Sequence, residues 1–241
     1  MSRRFEELDW SETPLGAISL RRREDPVLHR EVYEVKLGDE FLMSSLFTVA
    51  EIELARLGLA PAPDTELDVL VGGLGLGYTA LEVLRHPRVR SMVVVDALPE
   101  VIDWHRRGLL PYAAELTTDP RCRLVPGDFF ALARDGTGFD PETPGRRFHA
   151  ILLDVDHSPR HLLHPSHADL YTAGGLRRLA AQLVPAGVFA LWSNDPPDEA
   201  FAGVLEEVFA TSQVHVVSFP NPLQNRVATN TVYVAALPPA T

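Results

Sequence analysis

Cysteine is almost missing from this sequence: Cys122 is the only one in 241 residues. An internal disulfide and any multi-cysteine metal site are thereby excluded, which suits a reducing cytoplasm. Positive charge is also scarce. Lys and Arg number 22 against 33 Asp and Glu, a formal net charge of −11. That balance argues against DNA or RNA as the main partner, because phosphate binding needs clustered positive charge. A cationic small molecule is compatible with it. No apolar run reaches the length of a membrane span, and the opening MSRRFEELDW does not read as a signal peptide. Internal repeats and low-complexity tracts are absent as well. The apolar fraction, 46%, is ordinary for a globular chain long enough to bury a full core. The expectation is a soluble, cytoplasmic α/β protein with no membrane and no nucleic-acid partner.

Glycine is concentrated where it matters. Asp68 to Gly77 reads DVLVGGLGLG, an apolar run that feeds into Gly72, Gly73, Gly75 and Gly77, followed by a helix-like run from Tyr78. Strand, glycine turn and helix open a nucleotide-binding βαβ unit, and glycine lets the turn approach a ligand because it lacks Cβ. A second strand-like run ends at Asp96, about 20 residues after the glycines, where a ribose-binding acid is expected.

Before this unit, residues 1–60 do not follow an alternating βα pattern. Ile18 to Arg22, Glu31 to Leu37 and Phe41 to Met43 are expected as short strands, and Arg21 to Arg23 as a solvated strand edge. A helix capped by Ser44 or Ser45 is expected to turn Phe47, Ile52, Leu54 and Leu57 inward and to end at Gly58. This gives a small β-rich N-terminal subdomain with a connecting helix over 1–60, and a Rossmann-like nucleoside-binding domain over 61–241. In the larger part strands are expected at 68–72, 91–95, 122–125, 149–154, 187–192, 212–219 and 229–236. Helices are expected at 78–86, 99–108, 168–183 and 197–210, with Asp135 to Arg147 as a loop. No helix separates the last two strands, so a seven-stranded, mostly parallel sheet should finish in an antiparallel strand. That is the layout of S-adenosylmethionine-dependent enzymes.

The dinucleotide spacing GxGxxG fails at Tyr78 and at Ala80. The spacing present, Gly73-x-Gly75-x-Gly77, is the tighter turn found with S-adenosylmethionine. Asp96 can accept ribose hydroxyls. Asp128, in Pro126-Gly127-Asp128-Phe129-Phe130, can accept from an adenine amino group while Phe129 covers the ring; it can equally be a helix N-cap. The fourth strand ends in Asp154-Val155-Asp156-His157-Ser158-Pro159, which borders the same crevice. A carboxylate there can hold an attacking amine and accept its proton. The candidate site is therefore Gly73, Gly75, Gly77, Asp96, Asp128 and Phe129 for the nucleoside, and Asp154, Asp156 and His157 for the chemistry, with no metal.

The order of a β-rich N-terminal piece, GG-x-G-x-G, an acid ending the second strand, Gly-Asp after the third and Asp-x-Asp-x-x-Pro after the fourth resembles the polyamine aminopropyltransferases (spermidine and spermine synthases). The resemblance implies transfer of an aminopropyl group from decarboxylated S-adenosylmethionine to a small amine, releasing methylthioadenosine. It implies Asp96 on the ribose, Asp128 on the adenine, Asp154 assisting amine attack, and Asp156 or His157 near the amine. It also admits a homodimer through the N-terminal strands, which the spacing itself does not show. The family's glycine loop reads GGGDGG, its acid binding the donor's ammonium. Here Gly75 stands at that position between Leu74 and Leu76, which admits ordinary S-adenosylmethionine as donor. The family's Gln-containing segment is not recognisable around Gly38 to Ser45, and Glu51 is the substrate acid that survives. Two rivals stay open: an S-adenosylmethionine-dependent small-molecule methyltransferase, and a non-catalytic nucleoside-binding protein.

Four histidines, at 157, 161, 164 and 167, can bind a metal with Asp154 and Asp156, but Pro159 and Pro165 interrupt any helix that would align them. Trp104-His105 is expected in the core. Asp195 is expected to cap the helix that follows the fifth strand.

Overall fold

The computed structural model describes residues 5–155 and 157–240. The first four strands, β1 (Phe5–Thr13), β2 (Gly16–Asp25), β3 (Arg30–Leu37) and β4 (Glu40–Ser44), form an antiparallel sheet in chain order. Helix α1 (Val49–Leu59) leads into β5 (Leu67–Gly72), α2 (Tyr78–Arg85), β6 (Val89–Asp96), α3 (Pro99–Arg106), α4 (Ala113–Thr118), β7 (Cys122–Pro126), α5 (Phe129–Asp135) and β8 (Phe148–Leu153). A 3-10 helix (Pro165–Tyr171), α6 (Ala173–Ala180), β9 (Leu183–Ser193), α7 (Glu199–Glu206), β10 (Thr211–Asn221) and β11 (Arg226–Ala236) follow.

The second sheet has seven strands in the order β10-β11-β9-β8-β5-β6-β7. Strands β5 to β9 are parallel, and β11 runs antiparallel between β9 and β10. Every residue of β5 is buried, as a central parallel strand covered on both faces requires. Alternate residues feed two apolar clusters. Val69, Val71, Val94 and Leu152 face α1, α2 and α3, and share their cluster with Ile18, Leu20 and Val35 of the N-terminal sheet. Leu70, Val93, Ile151 and Leu153 face α5, α6 and α7. Strand order reverses direction between β5 and β8, which is where open sheets of this kind bind ligands.

Several local expectations need correcting. β2 is an inner strand, so Arg21, Arg22 and Arg23 are not an edge; they pair with Glu7, Glu6 and Glu34 on the strands either side. Helix α1 starts at Val49 behind Thr48, with no side-chain cap, while Ser45 Oγ accepts the Tyr33 N–H. Gly58 lies inside α1, where a Cβ would come within 2.5 Å of Leu152 and 2.9 Å of Ala190. Its role is close packing, not termination. The helix expected over 168–183 is split, because Thr172 caps a fresh helix by accepting the Gly175 N–H. Helix α7 is capped by Asp198, not Asp195.

Candidate active site

The loop after β5 is shaped by positive φ at Gly73 (92°), Gly75 (48°) and Gly77 (89°), values that other residues hold only under strain. Space is equally restrictive. A Cβ on Gly73 would overlap the Asp154 carbonyl, and one on Gly75 would sit 2.7 Å from the Met43 sulfur. The loop is anchored from below. Asp96 accepts the Leu74 N–H at 2.8 Å and the Leu98 N–H at 2.9 Å, one on each oxygen. Burial pushes the Asp96 carboxyl up, and these backbone N–H groups oppose that shift. His105, 1% exposed, places Nε2 2.9 Å from the Gly75 carbonyl, so that nitrogen carries the proton. Burial pushes its pKa down, and the ring is neutral.

Beside the loop stand two carboxyl groups. Asp154 directly follows β8, and its N–H continues the β5 ladder by donating to the Gly72 carbonyl at 2.8 Å. Its side chain accepts from the Thr79 hydroxyl, on the first turn of α2, at 2.8 Å. Glu51 comes from the first turn of α1, and its carbonyl lies 3.3 Å from the same hydroxyl. Burial, with the Asp154 charge adding to it, pushes Glu51 up to about 8. Burial pushes Asp154 up to about 6, with the Thr79 hydrogen bond pulling the other way. Near pH 7 the pair therefore titrates as one unit that carries a single negative charge.

These groups line a cavity of about 840 Å³ between the glycine loop and the N-terminal sheet. Among its described lining residues Glu51, Asp96, Glu100, Asp128 and Asp154 are carboxylates, and no Lys or Arg is present. Gly73, Gly75, Gly77, Phe129 and His157 line it too, so eight of the nine sequence-derived candidates border one space. The ninth, Asp156, lies outside the described residues. Two candidates have other duties as well. Asp128 Oδ1 caps α5 through the Phe130 and Ala131 N–H groups, leaving the second oxygen for a ligand. Phe129 is only 3% exposed and packs on Phe139, at 4.8 Å between ring centres.

The histidines find separate partners. His157 meets Glu40 of β4 at 2.9 Å, His161 meets Asp195 at 2.8 Å, and His164 meets the Ser166 hydroxyl at 2.7 Å. His167 stacks on Phe130 with ring centres 3.6 Å apart. Among the described residues no cluster of three or more His, Cys, Asp or Glu is placed to hold a metal. Sequence reasoning missed Thr79, Met43, Glu100 and Trp192 as cavity or pair residues. Glu100 Oε2 and Trp192 Nε1 are buried polar atoms without a hydrogen-bond partner among the described residues, a signal only the three-dimensional structure carries. Thr79 alone had a sequence cue, as a hydroxyl on the first helical turn after the glycines.

A family model described as the spermine/spermidine synthase domain matches residues 53–199. The chain belongs to this family. Its similarity to polyamine aminopropyltransferase 2 of Pseudomonas aeruginosa is 34% identity over 164 residues, 64% of this chain and 42% of that one. It is 29% identical over 135 residues to putrescine N-methyltransferase 2 of Nicotiana tabacum, covering 56% of this chain and 34% of that one. This spermine/spermidine synthase family member thus spans about two fifths and one third of those two relatives. Among solved structures, spermidine synthase from Thermotoga maritima superposes with a TM-score of 0.70 at 19% identity, over 95% of this chain and 72% of that one. A spermidine synthase in complex with the transition-state analogue AdoDATO gives 0.72 at 20% identity, over 95% and 73%. These likenesses fix the fold of a spermidine synthase: a small antiparallel sheet followed by a seven-stranded, mostly parallel one.

Proposed function

We propose that this family member transfers an alkyl group, an aminopropyl group in the first reading, from a sulfonium nucleoside to an amine. The carrying observation is the Glu51–Asp154 pair, part-buried beside the glycine loop in a cavity lined with carboxylates and free of described Lys or Arg. Such a field favours a sulfonium and an ammonium together. Residues 61–241 hold the nucleoside. Gly73, Gly75 and Gly77 let the backbone approach it, Asp96 and Glu100 face the ribose, and the free oxygen of Asp128 faces the adenine. Residues 1–60 cover it.

In the reaction the amine nitrogen, already deprotonated, attacks the carbon attached to the sulfonium from the side opposite sulfur. The nitrogen–carbon bond forms as the carbon–sulfur bond breaks, and that electron pair stays on sulfur as a neutral thioether. The proton lost from nitrogen passes to Asp154, whose raised pKa suits it to the exchange. Most of the acceleration comes from holding the two reactants in line. A donor without a carboxylate matches the lining best, because no described cation there would pair with one. Decarboxylated S-adenosylmethionine is accordingly the favoured donor.

A second reading has its own support. Gly75 stands where an acid would bind the donor's ammonium, and the putrescine N-methyltransferases are among the similar proteins. Attack on the methyl carbon of S-adenosylmethionine uses the same groups. Incubating the protein with either donor and a panel of amines, then identifying the nucleoside by mass spectrometry, tests both. Methylthioadenosine reports propyl-group transfer and S-adenosylhomocysteine reports methyl transfer. Neither product at saturating donor would refute both readings.

A further inference from the structure

We propose that His105 is a positioning residue for the nucleoside: it holds the Gly75 carbonyl and so sets the direction of the peptide that joins Gly75 to Leu76. The proposal rests on the glycine loop as the seat of a sulfonium nucleoside and adds a residue to that reading. Elsewhere the loop is tied to the sheet and to itself. Gly73 N–H donates to the Val95 carbonyl at 2.9 Å, Leu74 N–H to Asp96 at 2.8 Å, and Gly77 N–H to the Leu74 carbonyl at 2.8 Å. The Gly75–Leu76 peptide differs. Among the described residues its carbonyl has His105 as sole partner, at 2.9 Å, and its N–H has none. No described peptide bond is cis, and a trans peptide points its C=O and N–H in opposite directions. With the carbonyl turned onto a ring that is 1% exposed, the Leu76 N–H is directed away from α3, and both residues line the cavity. That N–H is the donor His105 presents to the ligand.

The ring has a rigid mount. Helix α3 is fastened to the N-terminal sheet by Trp104, whose Nε1 donates to Asp9 of β1 at 2.7 Å, and by Arg107, on the same carboxylate at 3.0 Å. The imidazole edge also packs on Gly77, where a Cβ would come within 2.9 Å of Cε1. Histidine suits this task better than Lys or Arg. Burial keeps the ring neutral, and Nδ1 is buried with no hydrogen-bond partner among the described residues, so a second proton there would be unpaired. A neutral donor leaves the pull of the lining carboxylates on a sulfonium undiminished, whereas a cation in the same place would oppose it. An apolar side chain would leave the Gly75 carbonyl buried and unsatisfied.

Variants of the intact protein test this by calorimetry with methylthioadenosine and by steady-state kinetics. Gln places its Nε2 as many bonds from Cβ as the imidazole Nε2, while Asn ends one bond short. His105→Gln should bind methylthioadenosine within about threefold of the wild type, and His105→Asn and His105→Leu about tenfold more weakly. The Asn–Gln pair decides even where His105→Leu does not fold. In turnover with decarboxylated S-adenosylmethionine, His105→Asn should raise the donor KM about tenfold and change kcat and the amine KM by less than about threefold. Leu205→Ala, in the apolar cluster on the other face of the sheet, separates this from general loosening. It should lower Tm while keeping methylthioadenosine affinity within about threefold of the wild type. Equal affinity of His105→Asn and His105→Gln, or a loss in Leu205→Ala as large as in His105→Asn, overturns the proposal. If the wild type binds the nucleoside but alkylates no amine, the catalytic reading alone fails and the affinities still decide the role of His105. No binding of methylthioadenosine by the wild type overturns both.

Discussion

Asp154 and Glu51 set the pH behaviour of the site, because two neighbouring carboxyl groups cannot both ionise freely. Replacing Asp154 by Asn removes the proposed proton acceptor while keeping its shape. Turnover should fall roughly 10²–10⁴-fold, while titration of the nucleoside product shows its affinity changed by less than about threefold. For the wild type, kcat/KM should climb as pH rises from about 6 toward about 8, the range over which the Glu51–Asp154 pair loses its protons. Stability should move the opposite way. Both folded-state pKa values lie above the ordinary carboxylate values of 3.8 and 4.5, so the folded state favours the protonated pair. Its contribution is complete at low pH and is lost as pH rises through the folded pKa values. Unliganded protein should therefore melt at a lower temperature at pH 8.5 than at pH 6. Glu51→Gln should flatten that slope and raise the pH 8.5 stability by about 1 kcal/mol, roughly 2–4 °C in Tm. Thermal melts of the two proteins across that range check it.

Helix α1 carries Glu51, and its placement depends on Gly58 lying flat against Leu152 and Ala190. Gly58→Val should cost about 1–3 kcal/mol by overpacking and move Glu51 away from Asp154. Chemical denaturation would read the first effect, and a pH–rate profile shifted toward lower pH the second. Most elements of the larger sheet were legible because its central strands are apolar runs and most crossovers carry a helical pattern. Asp96, Asp128 and Asp154 were legible with them, since each follows the end of such a run. The failures have local causes. β1 escaped notice because its register shifts between Glu7 and Asp9, so Phe5, Leu8 and Trp10 never alternate over its length. Helices α4 and α5 have six and seven residues, too few for a period to declare itself. The pairing of Glu51 with Asp154 could not be read from sequence at all, because only the packing of α1 beside α2 and β8 brings the two acids together.

At the scale of the molecule, the N-terminal sheet closes over the glycine loop, and the His157–Glu40 contact ties the two parts at an exposed position. An exposed pair of this kind is worth only about 0–1 kcal/mol. Glu40→Ala should leave the melting temperature almost unchanged while speeding nucleoside release up to about fivefold in stopped-flow measurements. The strand order has a consequence of a different kind. Of the seven strands in the large sheet, β11 is translated last, yet it lies inside, bonded to β9 on one flank and β10 on the other. While a nascent chain is still short of Arg226, β9 presents an open, apolar edge to the cell. The sheet closes only after the ribosome has released this segment, so the time from β9 to β11 is the interval in which a chaperone, or another nascent copy, competes for that edge.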